Sequence, residues 1–172
     1  KLKWKYEPFE IPKNLLNEWN EIGIKASKNA TKHENKHKNF IKNKTFKSLN
    51  DSIEKIKNNY LSNLKSIATR KSSEMFLEVA SKLPNLIGGS ADLAGSNNTK
   101  TSNHKIITPG NFSGNYIHYG VREHAMCGIM NGLALHSELI PYGGTFLIFS
   151  DYCKPSIRLA AIMKKKVIYV MS

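Results

Sequence analysis

From Leu86 to the last residue, short apolar runs of strand length alternate with single stretches of helix length, and this alternation narrows the folds open to the chain. Leu86-Ile87-Gly88-Gly89, Asn115–Tyr119, Tyr142–Leu147 and Val167–Met171 read as extended segments. The last is rich in β-branched residues, which suit a pleated, buried surface. Between them lie helical patterns at Val121–His136 and in a segment carrying Ile157, Leu159, Ala160 and Met163. A further helix is predicted from Thr69, as cap, through Lys82, with Phe76, Leu77, Ala80 and Leu83 on its apolar face and Pro84 stopping it. Single helices between strands imply parallel crossovers. The predicted class is therefore α/β, a mostly parallel sheet with helices on both faces. Ligands of such sheets collect at the carboxyl ends of the strands. Here those ends are the Gly-Gly-Ser-Ala-Asp run and the segment 143–152.

Residues 1–67 have a different character. They are polar and basic, with a short helix predicted after Pro12 and a second over Ser52–Leu64, where Ile53, Ile56, Tyr60 and Leu64 recur near helical spacing. We expect a partly helical, Lys/Asn-rich linker over 1–67 and a folded domain over 68–172. The net charge of +13 raises the possibility of a nucleic-acid partner. Much of that charge sits in the stretch 25–47, which has few apolar residues and reads as a solvated, compositionally biased insert. The other reading, a basic nucleic-acid-binding module, requires affinity that falls steeply with salt. No nucleic-acid partner is expected.

No apolar run approaches the roughly 18 residues of a membrane span, so no membrane partner is expected. Cys127 and Cys153 are too few for a disulfide framework and lack metal-ligand spacing. The expectation is free thiols, no metal held by these residues, and a cytoplasmic protein. The first residue is not Met, and the sequence stops directly after a strand. Both lead us to expect a segment of a longer protein. The loop 90–114 is long, and its polar middle, Asn97–His104, is expected to be mobile.

Three groups of residues could carry chemistry. Glu123 lies in Tyr119-Gly120-Val121-Arg122-Glu123-His124-Ala125-Met126. With Gly120 as helix cap, Glu123 is the third helical residue, where a carboxylate satisfies free amides and the helix dipole. Alternatively it is a buried carboxylate facing a ligand cleft at a strand-to-helix junction. Phe146, Phe149 and Tyr152 are three apart and share one helical face, which is either core or pocket wall. Gly128 and Gly132 lie on one face of the Glu123 helix and suit close approach of another helix, in this chain or in a second subunit.

Five segments occur in one order: Ala68-Thr69-Arg70-Lys71, Leu86-Ile87-Gly88-Gly89-Ser90-Ala91-Asp92-Leu93, Tyr119–Met126, Ile129-Met130-Asn131-Gly132 and Tyr142-Gly143-Gly144-Thr145-Phe146-Leu147. In that order and at these separations they resemble the pyrimidine-binding domain of the transketolases. The resemblance is clear from Ala68 onward and faint before it. It implies an enzyme that moves a two-carbon ketol unit from a ketose phosphate to an aldose phosphate, in the pentose phosphate pathway, with thiamine diphosphate and Mg2+ or another divalent cation. It also implies a homodimer with the active site at the subunit interface.

By the same resemblance Glu123 is catalytic. Its carboxyl shares a proton with a nitrogen of the aminopyrimidine and favours the imino tautomer. Phe146, Phe149 and Tyr152 pack the pyrimidine, and Asp92 lies near the cofactor. Arg70 and Ser96 hold the sugar phosphate, as a guanidinium and a hydroxyl suit. The metal–diphosphate motif and the histidines that grip the donor sugar belong outside residues 1–172, so these residues alone are expected to be inactive. Ala94-Gly95 stands where the family usually has Thr-Pro, Cys127 replaces a glycine, and Lys154-Pro155 replaces small residues. Other thiamine enzymes, such as deoxyxylulose phosphate synthases and 2-oxoacid dehydrogenase subunits, share the glutamate. They lack Gly-Gly-Ser-Ala-Asp-Leu.

Overall fold

The computed structural model describes residues 5–41, 45–63, 65–136 and 138–172. The chain divides into two compact units, Lys1–Asn43 and Lys44–Ser172. The first contains one helix, α1 (Lys13–Ile41), of 29 residues. It is far longer than the short helix predicted after Pro12, and it runs through much of the Lys/Asn-rich stretch. Lys, Glu and Ala are good helix formers, and no proline interrupts them after position 12. Residues 25–35 are exposed, as the solvated reading requires.

The second unit opens with α2 (Thr45–Ser62) and α3 (Thr69–Ala80). Leu49 of α2 packs on the cluster that contains Leu77 and Ala80 of α3, and Tyr60 Oη lies 3.5 Å from Met75 Sδ. The segment 45–62 thus packs with the α/β unit. Leu64, expected on its apolar face, lies outside the described residues. Ala68 in extended conformation, not Thr69, takes the cap position of α3.

The sheet follows: β1 (Leu86–Ser90), the short α4 (Ala94–Asn97), β2 (Tyr116–His118), α5 (Glu123–His136), β3 (Ile140–Thr145), a 3-10 turn (Leu147–Phe149), α6 (Ser150–Ile162) and β4 (Ile168–Met171). The four strands are all parallel, in the order β2-β1-β3-β4. The chain leaves β1 toward one edge and returns as β3 on the other side of β1. That reversal opens a crevice at the carboxyl ends of β1 and β3, where such sheets bind ligands.

Alternate residues of a strand face opposite sides. A side chain at Gly143 would meet Met126 and Met130 of α5, whereas one at Gly144 would meet Asn97 and Thr99. On the Gly143 side, α5 and α6 pack through Met126, Cys127, Met130 and Cys153, all fully buried. On the Gly144 side lie Leu77, Ala80, Leu83, Tyr116 and Tyr142.

The polar middle of loop 90–114 is not the mobile segment its composition predicts. Asn97, Thr99, Thr101 and His104 are buried on the Gly144 side. The Asn97 amide and Thr99 Oγ1 are 2.7 Å apart, and Tyr142 Oη donates to Thr99 O at 2.7 Å. His104 bonds Tyr142 Oη through Nε2 at 2.8 Å and Thr101 through Nδ1 at 2.9 Å. These groups satisfy one another, which makes their burial tolerable. Cys127 and Cys153 are free thiols that let α5 and α6 approach, and burial pushes both upward from the usual thiol range.

Candidate functional site

Loops from the carboxyl ends of three strands converge. Ala91 N donates to Gly144 O at 3.0 Å, and Tyr119 N to Ser90 O at 3.2 Å. These bonds tie the ends of β1, β2 and β3 together. Asp92 follows β1 with φ of 64°, a left-handed conformation that aspartate accepts more readily than most residues. Gly120, with φ of 69°, turns the chain out of β2. Arg122 N then donates to Gly120 O at 2.8 Å, and Met126 N donates to Arg122 O, opening α5. The turn keeps Val121 and Arg122 out of the helix. Glu123 is therefore the first helical residue, not the third as a Gly120 cap predicts.

Glu123 is 8% exposed. Thr145, the last residue of β3, donates its hydroxyl to Glu123 Oε1 at 3.4 Å. Glu123 lines a cleft of about 560 Å³ together with Val121, Arg122, His124, Ala125, Phe149 and Tyr152. Phe146 and Phe149 stack at 6.0 Å between centroids, and Phe149 and Tyr152 follow at 6.3 Å. Tyr152 is 62% exposed, so the aromatic stripe faces a cleft and is not core. A buried glutamate beside aromatic side chains suits a flat, heteroaromatic ligand with a basic nitrogen.

The fold thus brings Glu123, Phe149 and Tyr152 to one cleft, with Phe146 stacked behind. Asp92 is exposed on the neighbouring loop of the same sheet edge and does not line that cleft. Arg70 and Ser96 are exposed on α3 and α4. Glu74, one turn after Arg70, accepts from Asn98, two residues after Ser96, at 3.1 Å, so α3 and the end of α4 adjoin.

Pro155 lies inside α6. Lys154, a departure from the family pattern, pairs with Asp151 at 2.5 Å with both side chains largely exposed. Among the described residues Gly128 and Gly132 meet no close neighbour: a Cβ at Gly132 would have nothing within 4 Å, and one at Gly128 only Ser156 Oγ at 4.0 Å. Thr145 carried no role in the sequence reading. Its place at a strand's end, just after two glycines, is the signal that could have found it.

A family model described as the transketolase pyrimidine binding domain matches residues 65–172. The chain is 42% identical over 181 residues to a transketolase of Cereibacter sphaeroides, covering all of this chain and 28% of that protein. It is 41% identical over 182 residues to a transketolase of Sinorhizobium medicae, covering all of this chain and 26% of that protein. Among solved structures, a transketolase from Leishmania mexicana aligns with a TM-score of 0.61 and 50% identity, over 63% of this chain and 17% of that one. A Pichia stipitis transketolase in complex with sedoheptulose 7-phosphate aligns with a TM-score of 0.60 and 43% identity, over 62% of this chain and 17% of that one.

Proposed function

The chain belongs to the transketolase family, and from that membership we propose that its α/β unit holds and activates the aminopyrimidine of thiamine diphosphate during two-carbon ketol transfer between sugar phosphates. The observation that carries the reading is Glu123, a buried glutamate that lines one cleft with Phe149 and Tyr152. These residues fit the group. When bound, thiamine diphosphate supplies the nucleophilic carbon and the electron sink. Glu123 holds a proton at the ring nitrogen, which needs a carboxyl kept from bulk water. Phe146, Phe149 and Tyr152 fix the plane of the ring and exclude water from one side. Asp92, on the adjoining loop, contributes to the cofactor's surroundings. Arg70 and Ser96, on adjoining elements, bind the sugar phosphate through charge-assisted hydrogen bonds.

The reading extends to a cytoplasmic enzyme of the pentose phosphate pathway, with residues 1–67 linking to a domain that binds the diphosphate through Mg2+ or another divalent cation. Residues 1–172 alone should then be inactive. It also includes a homodimer with the site between subunits. In support, α5 presents Ile129, 48% exposed, and Leu135, 52% exposed, together with Gly128 and Gly132, a low-relief apolar face suited to another helix. Mixing full-length Glu123→Gln with a full-length variant disabled in the diphosphate motif tests it. Mixed dimers should recover activity if the site is shared, and should stay inactive if each site is built within one subunit.

The test of the catalytic assignment is Glu123→Gln in the full-length enzyme. Proton exchange at C2 of bound thiamine diphosphate should slow by roughly 10²–10⁴-fold, the usual range for losing a positioned acid–base group. Near-normal exchange in a folded variant refutes the assignment.

A further inference from the structure

We propose that Thr145 is a positioning residue for Glu123, assigning one carboxyl oxygen to the protein and leaving the other to the ligand. The inference rests on the reading of Glu123 given above. Thr145 is fully buried at the end of β3, and its hydroxyl donates to Glu123 Oε1 at 3.4 Å. Among the described residues it is the side-chain donor to this carboxyl. A hydroxyl has one proton to donate, so it binds one oxygen and not both. Oε2 is thereby left for a second partner.

The hydroxyl is itself held in place. Thr145 O accepts from Ser172 N at 3.3 Å, in continuation of the β3–β4 ladder. On the other side, the Asn97 amide donates to Thr99 Oγ1 and Leu93 O, both at 2.7 Å, and its oxygen accepts from Thr145 N at 3.2 Å. Both backbone groups of Thr145 are therefore tied, one to a strand and one to the buried loop. Glu123 is fixed from its own side by its place at the start of α5, where Cys153 Sγ lies 3.9 Å from Glu123 O. A donor tied at both backbone groups restricts the rotamers of a carboxyl anchored on a different element. Such preorganisation of a reacting group by a supporting hydrogen bond is what a proton-sharing step needs.

The test uses Thr145→Val, which keeps the shape and removes the donor, and Thr145→Ser, which keeps the donor, in the full-length enzyme. The first readout is isotope-edited infrared spectroscopy of the Glu123 carboxylate without thiamine diphosphate. The second is C2 proton exchange with it bound. Thr145→Val should move the carboxylate band and slow exchange by about tenfold, while Thr145→Ser should stay within about twofold of the parent in exchange, with an unmoved band. A merely structural role leaves the band unmoved. If Thr145→Val does not fold, Thr145→Ala, which removes the donor without adding bulk, carries the same comparison. An unchanged band and unchanged exchange in the folded donorless variant overturn the inference. Failure of the underlying reading looks different, because normal exchange in Glu123→Gln removes the role of Glu123 while the Thr145-dependent band shift remains.

Discussion

The two faces of the sheet are filled by opposite means. Behind Gly143 the packing is soft: Met126, Met130, Cys127 and Cys153 fill the space with polarisable, unbranched or small side chains. Behind Gly144 it is a net of hydrogen bonds, where Asn97, Thr99, His104 and Tyr142 hold one another at fixed distances. The first face adapts to changes of volume, because a methionine has three rotatable bonds. The second does not adapt, because moving one member leaves buried polar groups unpaired. The site draws on both. Glu123 stands on the soft face's helix, and the loop carrying Asp92 and Ser96 is fastened by the hydrogen-bonded one.

Adjacent glycines offer the sharpest way to break this contrast. A Cβ at Gly144 would stand 2.5 Å from Thr99 Cγ2 and 2.6 Å from the Asn97 side-chain amide, against side chains that cannot shift without losing partners. A Cβ at Gly143 would press on the sulfur of Met130 and, at 2.9 Å, that of Met126, both at the ends of flexible chains. Overpacking costs typically about 1–3 kcal/mol. Gly144→Ala should lie at the top of that range, near 3 kcal/mol, and Gly143→Ala at the bottom, near 1 kcal/mol. Denaturant midpoints at constant slope measure both. Equal losses mean that the faces do not differ in compliance.

Tyr142→Phe sharpens the comparison from within the rigid face. It removes no volume of consequence, but it unpairs Thr99 O and His104 Nε2. Leaving such buried groups unsatisfied costs about 1–3 kcal/mol, so a loss near 2 kcal/mol is expected. The loss should appear as faster amide exchange over 99–104, with α5 amides little changed. A uniform rise across both faces would mean that the net does not act as a local fastener.

The strands were legible as short apolar runs, two of them with paired glycines, and their parallel direction followed from the single helices between them. Leu86–Ser90, Tyr116–His118, Ile140–Thr145 and Ile168–Met171 fall within about a residue or two of the predicted runs. The aromatic stripe was legible as a row of neighbouring rings, although not as one helical face: Phe146 is extended, Phe149 ends the 3-10 turn and Tyr152 lies in α6. Whether the row met core or cleft was not legible, because spacing says nothing about what stands opposite. The buried loop was misread for a related reason. Polarity in Asn97–His104 signals solvent only when the groups lack partners in the fold, and pairing such as His104 with Tyr142 joins residues 38 apart in sequence. The length of α1 was missed because its residues 16–35 are exposed, so burial imposes no apolar periodicity there and only propensity remains to reveal the helix.

The smallest effect expected is a pH dependence confined to the rigid face. Thr101 N can only donate, and at 2.9 Å it donates to His104 Nδ1. The neutral ring therefore carries its proton on Nε2, which donates to Tyr142 Oη, and that hydroxyl donates onward to Thr99 O. Protonating Nδ1 takes away the acceptor used by Thr101 N. Burial, the largest influence, holds His104 below the ordinary histidine value; Lys100 pushes the same way, while the Thr101 backbone contact and the charge of Glu78 push against it. In the unfolded chain the ring titrates near its ordinary value of about 6.5. Between that value and the lowered native one, the unfolded state binds more protons, so stability falls as pH drops. Above the unfolded value this group contributes no slope, and below the native value the loss is complete. Amide protection over 99–104 should therefore weaken on acidification through the ordinary histidine range, whereas protection in α5 should not. His104→Gln should abolish that local dependence, while Met130→Leu on the soft face should leave it intact. A dependence that survives His104→Gln assigns the titration to another group and removes His104 as the acid-sensitive member of the net.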